Sequence, residues 1–278
     1  MMFGGDHDEI RASPAWSPKG CVVKVILLPS SVSDRPEAQD QFLTTYLIND
    51  CLAIDAGSLG LFGTAREQAS IKYILLSHSH IDHLASLPIF VENAFEADRD
   101  SVTVYANEAV LDCLRRDIFN DRVWPDFINL SQPEAPFLRL ERLESGKPVE
   151  LAGLRITPVA VNHVVPTLGF ILEDRASAVA IVSDTGPTEA IWEQASAAPD
   201  LKAVFLEATF PDSLAALAQQ AKHLTPKLFA REVQKLERPA AIIAVHLKAR
   251  YRKEVLAELD RLAIPGLEIG QFGKIYQF

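Results

Sequence analysis

Residues 71–87 read IKYILLSHSHIDHLASL, an apolar run that ends directly in four side chains able to bind a metal. Those four side chains are His78, His80, Asp82 and His83. The apolar run is typical of a buried strand. Residues 78 and 80 can face one way in an extended turn, whereas residues 82 and 83 open the next helix and can face an adjacent site. Imidazoles and carboxylates bind borderline divalent metals, and a surface loop has no need of this spacing, so the segment predicts a metal site.

Three more strand-like runs lead to a side chain of the same kind. LRITPVAV precedes His163, AVAIVS precedes Asp184 and AAIIAV precedes His246. A single histidine after an apolar strand is more often a hydrogen-bonded structural residue. Taken together with residues 78–83, the three favour a set of ligands gathered at strand ends.

The chain outside these runs predicts an α/β fold. Short β-branched and aliphatic runs alternate with helical patterns, and the last helix places Val255, Leu256, Leu259 and Leu262 on one face. The helical stretches lie at about 83–95, 107–119, 188–197, 213–221, 226–237 and 250–263. Because the early strands are joined by short turns and the later ones by helices, we expect an αββα sandwich of two mixed β-sheets flanked by helices.

The domain prediction has two parts. Residues 1–20 are interpreted as a flexible lead-in and residues 21–278 as a single domain. The Pro-rich stretch around 125–148 is interpreted as a long surface connection.

Charge and cysteine content limit the partners and the compartment. The 278 residues carry a net charge of −10, from 27 basic against 37 acidic side chains, so the average surface field repels extended nucleic acid. Cys21, Cys51 and Cys113 form no CxxC pair, which fits a reducing cytoplasm. Neither a signal-peptide pattern nor a run of eighteen apolar residues occurs, so we expect no membrane association. A homodimer is left open.

The segment HSHIDH resembles the HxHxDH motif of the metallo-β-lactamase superfamily of αββα metal hydrolases, and the resemblance extends over about residues 22–252. It implies a first metal held by His78, His80 and His163. A second metal would be held by Asp82, His83 and His246, with Asp184 bridging. Zinc is the default ion, and iron and manganese stay open. Two metals imply hydrolysis by a bridging hydroxide, with Asp82 counted among the catalytic residues.

Two further segments resemble the phosphodiesterase branch of that superfamily. They are LEATF at 206–210 and AKHLTP at 221–226. The resemblance implies that Glu207 orients His223, which donates a proton to the leaving oxygen. The alternative is that Glu207 is a surface residue at a strand end and His223 only the neighbour of a helix cap.

The segment VHLKARY indicates which subfamily of that branch the chain resembles. It is similar to the HxK ending of class II 3′,5′-cyclic nucleotide phosphodiesterases, so Lys248 would hold a substrate phosphate. Arg250 and Tyr251 are shared with the HxSxRY ending of tRNase Z, and Arg250 is a second substrate-binding candidate. PIFVENAF departs from the class II signature, while a basic Gly-rich arm of the tRNase Z kind is not found.

The resulting expectation is a phosphodiesterase that opens a 3′,5′-cyclic nucleotide to the monophosphate. Alternatives are a tRNase Z-like nuclease, a hydrolase of another small ester or lactone, and a metal-binding or redox protein holding iron. Some aromatic residues before His163 are candidates for stacking on a base, although such residues more often pack in a core. They are Phe90, Phe95, Phe119, Trp124 and Phe127.

Overall fold

The computed structural model describes residues 23–30, 43–96 and 101–278. Within these residues two seven-stranded sheets form. The first has the order β14 (Ile275–Gln277), β1 (Lys24–Leu27), β2 (Tyr46–Ile48), β3 (Leu52–Ile54), β4 (Tyr73–Leu75), β5 (Val102–Ala106), β6 (Leu138–Arg142). The second has the order β13 (Leu267–Ile269), β12 (Ala241–Val245), β11 (Leu201–Glu207), β10 (Ala178–Ile181), β9 (Thr167–Glu173), β8 (Leu154–Val161), β7 (Val149–Leu151).

Each sheet begins with antiparallel strands and continues with parallel ones. In the first sheet β1 to β3 pair antiparallel, and β3 to β6 pair parallel. In the second sheet β7 to β10 pair antiparallel, and β10 to β13 pair parallel. Because parallel strands end at the same edge of a sheet, the residues that follow β3 and β4, and those that follow β10, β11 and β12, are brought together.

The helices of the described residues cover the outer faces of the sheets. They are α1 (Ala65–Gln68), α2 (Ile81–Leu84), α3 (Leu87–Ala94), α4 (Glu108–Cys113), α5 (Phe127–Leu130), α6 (Ala190–Ala197), α7 (Ala215–Ala221), α8 (Pro226–Val233) and α9 (Arg252–Arg261). Within the same ranges there are also four short helical turns, at Leu59–Leu61, Leu114–Ile118, Asp212–Leu214 and Ala249–Tyr251.

Strand alternation divides the core into three apolar layers. Successive side chains of a strand face opposite ways, so Ile54 joins the layer between the sheets while Ala53 faces the helices. In the second sheet Phe205 packs between the sheets and Val204 packs under the helices with Phe229 of α8. The αββα sandwich expected from the sequence is therefore confirmed.

The stretch 125–148 is not only a surface connection, as the sequence pattern had indicated. It contains α5 and β6, and Phe127, Leu138 and Leu143 are buried. Both elements are short, so they offer too few apolar positions for a period to show. The lead-in assigned to residues 1–20, and Cys21, lie outside the described residues.

The aromatic candidates for base stacking pack against other apolar side chains, and three of them are buried in the core. Phe90 and Phe119 have no exposed surface, and Phe127 stacks on Phe137 with ring centroids 4.4 Å apart. Phe95 stacks on Phe137 from a centroid distance of 4.3 Å, and Trp124 packs against the same layer. Across the described ranges, no helix has the length and apolar character needed to cross a bilayer.

Candidate active site

The segment after β4 carries the first ligand candidates. The chain leaves the strand at Leu75, and His78 follows without exposed surface. His80 precedes α2, which contains Asp82 and His83. The backbone of Asp82 is held against the first sheet, because its carbonyl accepts a hydrogen bond from the Thr44 amide at 2.8 Å.

One cluster joins both sheets. His78, His80, His163 and Asp184 each offer one ligand atom, and these atoms all lie within 4.8 Å of one another. Nδ1 of His80 is 3.1 Å from His78 Nε2 and 3.3 Å from His163 Nε2. The cluster therefore has three imidazoles and one carboxylate converging from chain positions far apart.

These three imidazoles are neutral near pH 7. Burial, followed by the nearby His83, lowers the pKa of His78 to about 2. Burial also lowers the pKa of His80 and of His163. A neutral imidazole is the form that binds a metal, so no proton has to leave these rings when a cation enters.

A second cluster consists of Asp82, His83 and His246. His246 Nε2 is 3.4 Å from Asp82 Oδ2, and His83 Nε2 is 3.4 Å from Asp184 Oδ2. Asp184 faces both clusters, because its Oδ2 is also 3.8 Å from His78 Nε2 and its Oδ1 is 3.6 Å from His246 Nδ1. Its place between them is the one expected for a bridging carboxylate.

The donor set fits divalent cations. Nε2 of His83 is buried, and among the described residues it makes no hydrogen bond. Burial opposes ionisation of Asp184, but His246 and His83 hold the pKa of this carboxylate well below its usual value. Burial likewise opposes ionisation of Asp82, but a hydrogen bond with His246 and the charges of His83 and Lys248 lower its pKa. Two carboxylates and five imidazoles, one of which has this unpaired ring nitrogen, suit a pair of metal ions.

Asp55 is a site residue that sequence reasoning missed. Its Oδ2 lies 2.6 Å from His83 Nδ1 and accepts a hydrogen bond from the Ser77 hydroxyl at 2.8 Å. Burial alone would lower the pKa of His83, but the charges of Asp184 and Asp55 raise it well above its usual value. The signal was present in CLAIDAG, where a carboxylate follows a buried strand that neighbours β4.

The Glu207–His223 pair lies beside both clusters. Glu207 Oε1 is 2.7 Å from His223 Nδ1, and the two residues expose 1% and 8% of their surface. Glu207 also accepts hydrogen bonds from the Thr185 amide at 2.9 Å and from the Thr209 hydroxyl. A nitrogen of His223 falls within 4.8 Å of ligand atoms of Asp184 and His246. Both residues are therefore buried and paired, and not surface neighbours.

The charge on His223 is set by this partner. Burial alone would lower the pKa of His223, but the carboxylate of Glu207 raises it above the usual histidine value. Thr209, a second residue missed in the sequence, connects the pair to the second cluster because its hydroxyl lies 3.1 Å from His246 Nδ1.

The two substrate-binding candidates differ in position. Lys248 Nζ lies 3.0 Å from Asp82 Oδ2, so its ammonium stands at the second cluster. Arg250 is exposed, and its Cζ lies 5.7 Å from the centroid of the Tyr251 ring. Within the described ranges, Arg250 makes no hydrogen bond or ion pair with the cluster residues.

Three residues next to the site have left-handed backbone conformations. Asp55, Ser183 and His246 have φ values of 61°, 65° and 54°, and each follows the end of a strand. Such a conformation costs a residue with a side chain about 1–3 kcal/mol and persists where the surrounding structure enforces it. Here it turns the chain sharply at the edge where the ligands meet.

The comparisons with known proteins agree with this architecture. The family model for the beta-lactamase superfamily domain matches residues 50–247. A probable 3′,5′-cyclic-nucleotide phosphodiesterase of Yersinia pestis is 26% identical over an alignment of 290 positions. The alignment covers 82% of this chain and 82% of that protein.

Two solved structures show the same fold. Unliganded yeast PDE1 has a TM-score of 0.71 at 17% identity, covering 92% of this chain and 99% of that chain. The metallo-beta-lactamase fold protein YhfI of Bacillus subtilis has a TM-score of 0.69 at 16% identity, covering 93% of this chain and 100% of that chain. From its family model, its fold and its clustered histidines and aspartates, the chain belongs to the metallo-β-lactamase superfamily.

Proposed function

We propose that this protein is a metal-dependent phosphodiesterase, with a 3′,5′-cyclic nucleotide as substrate and the nucleoside monophosphate as product. One observation carries the proposal. A buried histidine, paired with a carboxylate and with a raised pKa, lies within reach of two clusters of metal ligands. The Yersinia relative, named a probable 3′,5′-cyclic-nucleotide phosphodiesterase, supports the substrate class.

The metal ligands follow the two clusters. His78, His80 and His163 would hold one cation, and Asp82, His83 and His246 the other, with Asp184 shared. Two such cations supply an activated water and neutralise the charge that develops on the phosphoryl oxygens. Zinc is the proposed ion, since imidazole and carboxylate ligands suit it.

His223 would act as the general acid. As a water oxygen bonds to phosphorus, the bond between phosphorus and the ribose oxygen breaks, and His223 gives its proton to that oxygen. Its Nδ1 contacts Glu207, which leaves Nε2 as the donor. Glu207 acts through His223 and is a positioning residue. A general acid of this kind contributes about 10²–10⁴-fold to the rate.

Lys248 would bind a phosphoryl oxygen of the substrate. Its ammonium contacts Asp82, so a phosphate held at the second cluster lies next to a compact positive charge. Arg250 would have to turn from Tyr251 toward the substrate in order to bind it. A cytoplasmic location is likewise proposed, since Cys51 and Cys113 are free thiols.

The test is hydrolysis of bis(p-nitrophenyl) phosphate by zinc-loaded protein. We expect turnover that a chelator abolishes and that His223→Ala lowers by a factor of about 100 or more. Arg261→Ala on α9 is the control and keeps full activity. Zinc-loaded protein that does not cleave this diester contradicts the proposal.

The substrate class is tested by a screen of cyclic nucleotides, precursor tRNA and simple esters. Cleavage of cyclic nucleotides supports the proposed substrate. Cleavage of precursor tRNA with cyclic nucleotides left intact favours a tRNase Z-like nuclease. Reversible reduction of a coloured iron form that hydrolyses nothing favours a redox protein.

A further inference from the structure

A cavity of about 540 Å³ opens beside His223. It lies between the turns that follow β8 and β10 on one side and helices α7 and α8 on the other. Pockets for small ligands measure about 300–1,000 Å³, so this one has room for a nucleoside.

The cavity shares residues with the candidate active site. His223 and Lys222 form part of its wall. The Lys222 ammonium donates to the His163 carbonyl oxygen at 3.0 Å, and the Lys222 carbonyl oxygen lies 3.0 Å from His163 Nδ1. A group bound in the cavity therefore lies next to the proposed general acid and to a ligand of the first cluster.

The chemistry of the wall suits a nucleoside. Pro187, Ala218 and Leu228 provide apolar surface for the face of a base. Asn162 adds an amide, whose Nδ2 donates to the Pro187 carbonyl oxygen at 3.0 Å. Its Oδ1 accepts no hydrogen bond from the residues that the structure describes. Arg231 adds a guanidinium with donors in a planar fork.

Arg231 differs from the other basic residues of the wall. Lys227 Nζ lies 3.6 Å from Asp212 Oδ2, and Lys222 is held by His163. In the part of the chain that the structure describes, the Arg231 guanidinium makes no hydrogen bond or ion pair. Its donors are therefore available to a ligand, and a planar fork matches two neighbouring acceptors.

We propose that this cavity binds the nucleoside half of the substrate and that Arg231 donates two hydrogen bonds to one edge of the base. The inference rests on the proposed function, because the oxygen that His223 protonates stays attached to the ribose and brings the nucleoside to this side of the site. Guanine presents O6 and N7 as adjacent acceptors, whereas adenine presents one acceptor beside a donor. Guanine nucleotides are therefore the preferred class.

The first test measures guanosine binding to the zinc-loaded full-length chain by titration calorimetry. Guanosine carries no phosphate, so its affinity reports on the cavity and not on the metal ions. We expect Arg231→Ala to raise Kd about ten-fold, in line with the loss of a bidentate contact to a base. Arg261→Ala is the matched control and leaves Kd unchanged. Equal Kd values for wild type and Arg231→Ala overturn the inference.

The second test fills the cavity without touching the catalytic residues. Ala215 and Ala216 are exposed neighbours on α7, and of the two only Ala215 lines the cavity. We expect Ala215→Trp to lower kcat/KM for cyclic GMP at least ten-fold, whereas Ala216→Trp retains the wild-type value. Arg231→Ala should also remove the preference for cyclic GMP over cyclic AMP. Equal effects of the two tryptophans overturn the inference.

Failure of the proposed function gives a different result. Guanosine binding that depends on Arg231, in a protein that hydrolyses no phosphodiester, supports the cavity and overturns the phosphodiesterase. Hydrolysis of cyclic nucleotides with unchanged guanosine affinity in Arg231→Ala supports the phosphodiesterase and overturns the cavity.

Discussion

At the scale of single residues, neighbouring carboxylates give chemically similar histidines different charges. Burial keeps His78 neutral, because no carboxylate oxygen of the described residues approaches it closer than 3.8 Å. His223 is also buried, yet the contact with Glu207 at 2.7 Å raises its pKa. The first histidine is suited to bind a cation and the second to deliver a proton.

Glu207→Gln tests the positioning role of Glu207. The amide cannot stabilise a charged imidazole, so burial is no longer opposed by this carboxylate and the pKa of His223 falls. We expect kcat to decrease roughly ten-fold, a part of the total general-acid effect, with little change in KM. The alkaline limb of the pH–rate profile, which needs protonated His223, should move to lower pH. Glu207→Asp should restore part of the rate, and an unmoved limb contradicts the role.

Asp55→Asn tests the orientation of His83. A carboxylate that holds a ligating histidine raises metal affinity, and its loss costs about 10–100-fold. We expect one of the two zinc ions to bind about 10–100-fold more weakly than in wild type. Competition with a coloured chelator measures this affinity. Asp260→Asn, an exposed change on α9, is the control. Two zinc affinities equal to those of wild type would show that Asp55 does not support the second cluster.

At the scale of elements, the site depends on how closely the turn after β3 packs against α2. A Cβ atom added to Gly57 would lie 2.1 Å from the Asp82 carbonyl oxygen and 2.7 Å from the Thr44 amide nitrogen. Both atoms belong to the backbone, so neither can rotate away. Only glycine allows these segments to approach, and their approach places Asp82 in the second cluster.

Gly57→Ala should therefore push the two segments apart. We expect the free energy of unfolding to fall by about 1–3 kcal/mol, as in other overpacked interiors, and zinc binding at the second cluster to weaken. Urea denaturation and zinc competition measure the two effects. Gly186→Ala is the control, because a Cβ there meets its nearest neighbours at an ordinary 3.5 Å. Equal stability of the two variants contradicts the argument.

At the scale of the whole molecule, the proposed metal ligands come from both sheets. His78, His80, Asp82 and His83 follow a strand of the first sheet, whereas His163, Asp184 and His246 follow strands of the second. A cation held by these residues would therefore connect the two halves of the sandwich. Binding restricted to the folded state adds stability, about 2.7 kcal/mol when the free metal is at 100 times its Kd.

Metal removal should therefore lower the melting temperature. In a chain of roughly this size, each kcal/mol of unfolding free energy shifts Tm by about 2–4 °C. We therefore expect chelation to lower Tm by several degrees. Differential scanning calorimetry with zinc and with chelator measures the change. His163→Ala should respond less, since it lacks one ligand from the second sheet. Identical melting with and without zinc would exclude a bridging metal.

The sequence alone was sufficient to predict the fold class, and it predicted a set of metal ligands whose side chains lie close together in the structure. Short apolar runs, as in β3 and β12, indicate strands that are buried on both faces, and this pattern is local. The HSHIDH segment likewise holds four ligands within six positions. The segment CLAIDAG contained the signal for Asp55, but the importance of this residue depends on which strand lies beside β3.

Only the tertiary structure decided which distant side chains meet. The contact of Asp55 with His83, the link from Thr209 to His246 and the cavity beside His223 all depend on strand order and on how the helices pack. Arg250, two positions after Lys248, lies over the Tyr251 ring. Hydrophobic patterns are set by residues a few positions apart, whereas a site assembled over some 170 positions is set by packing that no short pattern records.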